Sequence, residues 1–276
     1  FPGVYRASVE AGEASGALDL VLGRLGGYLE WTQSMRSTTV QALIYPMILC
    51  FAILGLILIL LYFVLPRIMG IFPGGPEDLP AQTRFVLAAS DFLRANGLVL
   101  LGVGIASAIS FAVSFRTPGG KRFFHGLLLR VPKLGMVLAK IATSRFASTA
   151  STLQAAGCDV FKVLRIAGAT CGNAAMAAGF ERATERVRNG QTIADALEDA
   201  RGVDPLLIQM VAVGEKTGRL DDCLNRVVEY YDQEVPRAVK RFISILEPLL
   251  LVVAGGVVAF ILLAALMPIF KLYESL

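Results

Sequence analysis

The sequence predicts an all-α, polytopic membrane protein with three transmembrane helices and six-helix-bundle cytoplasmic domains arranged as a tandem repeat. Composition gives the membrane class, because 55% of the residues are hydrophobic and only 17% are charged. An ordinary soluble domain has about 45–50% apolar and about 25% charged residues. A motif that occurs twice gives the repeat. The net charge of +4 is too small to indicate binding of nucleic acid.

Three uncharged apolar runs predict the transmembrane helices, because about 20 apolar residues cross a hydrocarbon core about 30 Å thick. We place transmembrane helix 1 at 42–65, helix 2 at 98–115 and helix 3 at 248–270. Backbone polar groups in lipid must be bonded within their own segment, so each run should be helical. The alternative of a buried core helix is strongest for the second run, which is the shortest.

Basic residues beside these runs predict their orientation, since cytoplasmic flanks carry an excess of Lys and Arg. The excess adjoins the second and third runs, at Lys121, Arg122, Arg130, Lys133, Arg237, Lys240 and Arg241. We therefore expect 116–247 to be a cytoplasmic helical-bundle domain and 66–97 to be a short periplasmic loop. The same alternation makes 1–41 cytoplasmic and 271–276 a periplasmic tail, so most of the chain faces the cytosol.

Start and stop signals divide the predicted bundle into about six helices between 138 and 235. Asp159, Asn173, Thr192 and Asp204 each precede an apolar periodic stretch and are typical N-cap residues. Apolar residues at helical spacing predict the core of this bundle. They are Phe146, Leu153, Phe161, Leu164, Phe180, Val187, Leu207, Val211, Leu224 and Val228.

The motif G-E-x-[S/T]-G-x-L-D occurs at 12–19 and again at 214–221. A shift of 202 residues pairs three motif positions and a downstream proline of the first copy with those of the second. Gly12, Glu13, Gly16 and Pro46 pair with Gly214, Glu215, Gly218 and Pro248. We infer a duplication in which 1–41 holds the last two helices of a truncated first cytoplasmic domain. Phe1 pairs with Val203, so the opening helices of that domain should precede Phe1.

Each GExxG segment suits a turn between two helices, because glycine adopts a left-handed backbone readily. The glutamates have two interpretations. Each either makes a structural hydrogen bond or stays solvated, or it binds a ligand or metal.

These residues resemble the family of type II secretion protein F and type IV pilus assembly protein PilC. The resemblance covers the whole chain and includes the doubled GExxG with its matched prolines. It also includes the stretches "LPAQTRFVLAASDF", "RFASTASTLQAAG" and "VGEKTGRLDDCLNRVVEYYDQEV". The resemblance implies a multi-pass platform protein of the bacterial inner membrane that couples a cytoplasmic secretion ATPase to the assembly of pseudopilins or pilins. A type II secretion role is slightly favoured over a pilus role.

The resemblance also implies partners and a possible metal ion. Other inner-membrane secretion or pilus proteins and membrane lipid are expected partners. Calcium is associated with the first cytoplasmic domain of the family through its GExxG glutamate, which is Glu13 in this chain. Small residues in the third apolar run, Gly255, Gly256 and Ala259, allow close helix approach. We expect a homo-oligomer.

No motif for catalysis is present, so we do not expect an enzyme. The sequence has no GxxxxGK[S/T] for ATP, and its single histidine, His125, has no evident catalytic partner. The basic stretch at 182–190 is either a solvated surface or a docking patch for the ATPase or anionic lipid. A transporter or channel subunit is a more distant alternative. Uncharged spans disfavour it, and Glu247 is the nearest ionisable residue.

Overall fold

The structure is a computed structural model that describes residues 3–16, 18–69, 79–114, 117–200 and 202–274. Within these ranges the regular structure is helical, with no strand. A single π-helical stretch, Leu60–Val64, follows α2. The α-helices are α1 (Gly3–Ser15), α2 (Leu18–Ile59), α3 (Leu65–Met69), α4 (Ala81–Ala95), α5 (Gly97–Ser114), α6 (Pro118–Leu128), α7 (Leu134–Ala155), α8 (Val160–Thr170), α9 (Ala174–Arg188), α10 (Ile193–Glu198), α11 (Pro205–Thr217) and α12 (Leu220–Glu274).

The chain forms two compact units. Unit 1 comprises Phe1–Ala42 and Ser114–Phe242, and unit 2 comprises Leu43–Val113 and Ile243–Leu276. Both α2 and α12 contribute residues to each unit, because each begins in a polar segment and continues into an apolar one.

Unit 1 contains the predicted helical bundle, and its helix starts are those that the sequence signals indicate. The side chain of Asp159 accepts from the backbone N–H of Phe161 and Lys162 at the start of α8. Asn173, Thr192 and Asp204 cap α9, α10 and α11 in the same way. These four predicted caps are confirmed. Each provides an acceptor for N–H groups that have no partner within the helix.

The core of unit 1 is built largely from the predicted apolar positions. The rings of Phe146 and Phe180 stack 4.1 Å apart, and both side chains are buried. Also buried are Leu153, Leu164, Leu207, Val211 and Leu224. The prediction for Phe161 was wrong, since its side chain is exposed. It lies in the first turn of α8, whose buried residues are Val163, Leu164, Ala167 and Gly168.

Unit 2 contains the strongly apolar parts of the two long helices. Leu18–Ile68 and Leu220–Pro268 are each long and apolar enough to cross a membrane. Pro46 and Pro248 lie inside α2 and α12, and both helices continue through them. Within the described residues α4 and α5 meet this criterion only as a pair, and they are bent by 76° at their junction. By length and composition, the described residues therefore include two helices that could cross a membrane, or three if the bent pair is one span.

The segment predicted as a connecting loop contains a helix, α4. Residues 70–78, which include most of the "FPGGPEDLP" stretch, lie outside the described part of the chain. Val86 of α4 is buried against Leu61 and Leu65 on one side and Ile261, Ala264 and Ala265 on the other. Helix α4 thus packs against both long helices within unit 2.

Hydrogen bonds from α4 satisfy carbonyls that two prolines leave without a helical donor. Pro268 has no N–H, and the carbonyl of Ala264 four residues earlier accepts instead from Thr83 Oγ1 at 2.6 Å. Pro66 likewise lacks an N–H, and in the turn before it Ser90 and Arg94 donate to the carbonyls of Leu61 and Tyr62. Tyr62 and Ala264 are paired by the same 202-residue shift. Helix α4 therefore donates to equivalent positions of the two predicted repeats.

Candidate functional site

The second GExxG segment forms a tight turn between α11 and α12. Gly218 ends α11 with a left-handed backbone, φ +69°, and its N–H donates to the carbonyl of Gly214. A Cβ added to Gly214 would lie 2.8 Å from Leu220 Cα and 3.2 Å from Cys223 Cβ. Glycine is therefore needed at 218 for its backbone angle and at 214 for the close approach of α12.

Glu215 connects this turn to another helix. Its carboxylate oxygens accept from the backbone N–H of Ile193 at 2.9 and 3.0 Å, and more weakly from Ala194 at 3.4 Å. These groups begin α10, where N–H donors lack helical partners and the helix dipole favours negative charge. Of the two interpretations of this glutamate, the structure favours the structural hydrogen bond.

The first GExxG segment also ends in a left-handed glycine, but the N–H of Gly16 donates to the carbonyl of Glu13 at 3.4 Å. Gly16 has φ +66°, and a Cβ on Gly12 would meet Val21 and Leu18, which are the counterparts of Cys223 and Leu220. The nearest distance, 3.1 Å to Val21 Cγ2, is less tight than at Gly214. Glu13 is exposed, and its carboxylate has no partner among the described residues.

Calcium at Glu13 requires more ligands than this segment offers. Ca²⁺ takes six to eight oxygen ligands, whereas Glu13 is a single exposed carboxylate. No group of three or more His, Cys, Asp or Glu side chains converges anywhere in the described ranges. The described residues alone do not fit a calcium site, and nothing in the proposed function depends on one.

Next to Pro46 and Pro248, the two long helices are joined by a hydrogen bond within unit 2. Tyr45 Oη donates to Glu247 Oε1 at 2.8 Å. These residues are exact counterparts under the 202-residue shift, so equivalent positions of the two predicted repeats contact each other. In the third apolar run, a Cβ added at Gly255 or Gly256 would meet nothing within 4 Å in the described structure.

The basic stretch at 182–190 borders a groove of about 480 Å³ in unit 1, between α6, α8 and α9. Four cations line it, and the walls between them are alanines and two glutamates. The cations are Lys121, Arg122, Arg165 and Arg188. Arg188 pairs with Glu185 on the same helix, and Arg186 pairs with Asp199. The groove can attract a negatively charged polypeptide, because most of its charged groups are solvent-exposed cations.

Two structural roles in unit 1 were not predicted from the sequence. His125 Nδ1 accepts from the N–H of Ala174 at 3.0 Å, and burial together with Lys121 lowers the pKa of this histidine. Lys140 donates to Glu234 at 2.6 Å between α7 and α12, and this hydrogen bond lowers the pKa of Glu234. Each pair is separated by dozens of residues, so no local pattern could have revealed it.

Comparison of the sequence with known proteins identifies its family. The model of the type II secretion system protein F family matches residues 1–66 and 146–268. The chain belongs to that family. Both GExxG segments lie within the matched stretches, together with Pro46, Pro66 and their counterparts Pro248 and Pro268.

Curated relatives of the family carry two kinds of name. Type II secretion system protein F of Aeromonas hydrophila is 36% identical over 99% of this chain and 70% of its own length. The protein F of Pseudomonas aeruginosa is 34% identical over 99% of this chain and 68% of its own. Type IV pilus assembly protein PilC of Thermus thermophilus is 34% identical over all of this chain and 68% of its own.

Proposed function

We propose that this protein is an inner-membrane platform of a type II secretion system. It couples a cytoplasmic secretion ATPase to the assembly of a pseudopilin filament. The observation that carries the proposal is the family match over nearly the whole chain, combined with the form of α2 and α12. Each of these helices begins in a bundle segment and continues into an apolar segment, so one helix connects the proposed cytoplasmic and membrane parts of the chain.

The proposed topology has three crossings and two cytoplasmic modules in tandem. Two long apolar helices and the uncharged 18-residue helix α5 support the crossings. The two stretches matched by the same family model, and the contact between the counterparts Tyr45 and Glu247, support the tandem arrangement. The bundle at 116–247 and the segment 1–41 are then cytoplasmic, while 66–97 and 271–276 are periplasmic.

The groove lined by Lys121, Arg165 and Arg188 is the proposed docking site for the ATPase. A test is binding of the purified full chain, in nanodiscs, to the purified secretion ATPase of the source bacterium. The Arg165→Glu/Arg188→Glu double variant should bind about tenfold more weakly, because two exposed attractions become repulsions.

The matched control, Arg219→Glu, is compared with the single variant Arg188→Glu, because both change the net charge by the same amount. Arg219 is an exposed arginine paired with Asp222 three residues away, as Arg188 is with Glu185, but it lies outside the groove. Equal weakening by the control would assign the effect to net charge alone. Failure of the unmodified chain to bind the ATPase, or to stimulate its ATP hydrolysis, would contradict the proposed coupling.

The second candidate function is a type IV pilus platform, which the relatives named PilC favour. Deletion of the gene separates the two candidates. Loss of an exported enzyme with normal surface pili supports the secretion role, whereas loss of pili with normal export supports the pilus role. Solute flux through the reconstituted chain that disappears in Glu247→Gln would instead support a transporter.

A further inference from the structure

Helix α6 follows α5 directly and has an exposed apolar side. Its N-cap residue, Thr117, is tied to the last residue of α5, because its N–H and Oγ1 both donate to the carbonyl of Ser114. In sequence, only two residues separate Ser114 from Thr117. Phe123 is 67% exposed and Leu127 is 48% exposed. Side chains four residues apart on a helix lie on the same side.

A groove of about 240 Å³ runs along this side, between α6 and the first turn of α9. Its walls are apolar, formed mainly by Phe123, Leu127 and Leu129. Arg122 and Arg130 also line it, and neither guanidinium has an ion-pair or hydrogen-bond partner in the described part of the chain. The site thus combines two available cations with an exposed apolar surface, and it includes no carboxylate.

This combination is typical of helices that lie at a membrane surface. Aromatic and aliphatic side chains enter the boundary between headgroups and acyl chains, while Lys and Arg beside them attract anionic lipid. We propose that α6 lies on the cytoplasmic membrane surface and that its groove binds an anionic phospholipid. The phosphate lies at Arg122 and Arg130, and an acyl chain contacts Phe123 and Leu127.

The proposal rests on the three-crossing topology of the proposed function, because α6 reaches the surface only if α5 crosses the bilayer. An acidic polypeptide is the competing occupant. It fits the larger groove better, where alanines leave room and four cations line the walls. The α6 groove favours lipid, because a lipid brings negative charge and a long apolar chain to one site, only a few residues after an apolar helix.

The test measures contact between α6 and lipid in the full chain. In a Cys50→Ala background the other three cysteines are buried. Phe123→Cys is labelled with bimane and reconstituted in nanodiscs that contain nitroxide-labelled phosphatidylcholine, with and without phosphatidylglycerol. We expect strong quenching that increases with the phosphatidylglycerol content. Arg122→Gln and Arg130→Gln should each raise the phosphatidylglycerol fraction needed for half-maximal quenching by about fivefold.

Two control labels make the outcome specific. A label at Val213, an exposed residue of α11, should not be quenched. A label at Val103, an exposed residue of α5, should be quenched whether or not anionic lipid is present, if α5 crosses the bilayer. Quenching at 103 without quenching at 123 overturns this inference and leaves the topology intact. Absence of quenching at 103 overturns the topology itself.

A further arm separates lipid from polypeptide. Soluble poly-glutamate is added to the Phe123-labelled chain in nanodiscs without anionic lipid. If it shifts the bimane emission while phosphatidylglycerol does not, the groove binds an acidic polypeptide and the lipid proposal is wrong.

Discussion

The two GExxG segments share a left-handed final glycine and differ in their contacts. In both, the final glycine is left-handed and the first glycine faces the same pair of counterpart residues on the following helix. In the second segment Glu215 holds the start of α10, whereas in the first Glu13 faces solvent. A repeated motif therefore reproduces the local turn, while the role of its glutamate depends on which helix lies nearby.

The hydrogen bonds beside Pro66 and Pro268 also occur at equivalent positions and also involve different partners. The freed carbonyl of Ala264 is bound by Thr83, a fully buried hydroxyl, and its counterpart at Tyr62 is bound by the exposed Arg94. The carbonyls are equivalent because they precede equivalent prolines. Their donors differ because both come from α4, which lies outside the predicted repeat. Four predictions use such differences, beginning with the largest expected effect.

Gly214→Ala should destabilise the protein more than Gly12→Ala. The new Cβ at 214 would lie 2.8 Å from the backbone of α12, so the helix has to move, and overpacking of this kind costs about 1–3 kcal/mol. At Gly12 the nearest atom is a valine methyl at 3.1 Å, and the better helix propensity of alanine offsets part of the cost. Thermal unfolding followed by fluorescence of the single tryptophan, Trp31, measures both. Equal losses would show that the two turns are equally tight.

Thr83→Val should cost about 1–2 kcal/mol, since it keeps the shape of the side chain and leaves a buried carbonyl without a donor. Arg94→Met should cost less, because water can replace an exposed donor. Hydrogen exchange across 81–95 reports release of α4. Faster exchange in Arg94→Met than in Thr83→Val would show that the Arg94 hydrogen bond contributes more to stability than the Thr83 hydrogen bond.

Glu215→Ala should cost about 1 kcal/mol and speed hydrogen exchange at Ile193, because the start of α10 loses its acceptor. Glu13→Ala should change stability by less than about 0.5 kcal/mol, as is usual for an exposed residue without partners. Glu215→Gln serves as the conservative control and should retain much of the protection, since an acceptor oxygen remains. A cost at Glu13 that matches the cost at Glu215 would mean that Glu13 also has a partner.

Lys140→Met should cost about 1 kcal/mol at neutral pH and less in acid. The pKa of Glu234 is lowered by Lys140, so the pair contributes stability above the unfolded-state pKa of Glu, about 4.3. That contribution is lost as the pH falls through the lower folded-state pKa. The counterpart of Glu234 is Thr32, which is uncharged, so Thr32→Val should show no such pH dependence. Unfolding midpoints of all three proteins at pH 7 and at acid pH provide the measurement.

The features that could be predicted from the sequence depend on residues that are close together along the chain. Asp159, Asn173, Thr192 and Asp204 cap helices within three residues of themselves, and each was identifiable without a structure. The long apolar runs and the glycine turns are equally local. Family membership also followed from the sequence, because it depends on these same patterns.

Contacts between residues that are distant in sequence could be identified only from the structure. The contacts of Glu215 with Ile193, Thr83 with Ala264 and Tyr45 with Glu247 join residues that are separated by 22, 181 and 202 positions. The exposure of Phe161 and the placement of α4 against both long helices belong to the same class. Apolar periodicity shows that a helix has a buried face, but many partners can cover that face at similar cost. The choice among them is made by the packing of the whole chain.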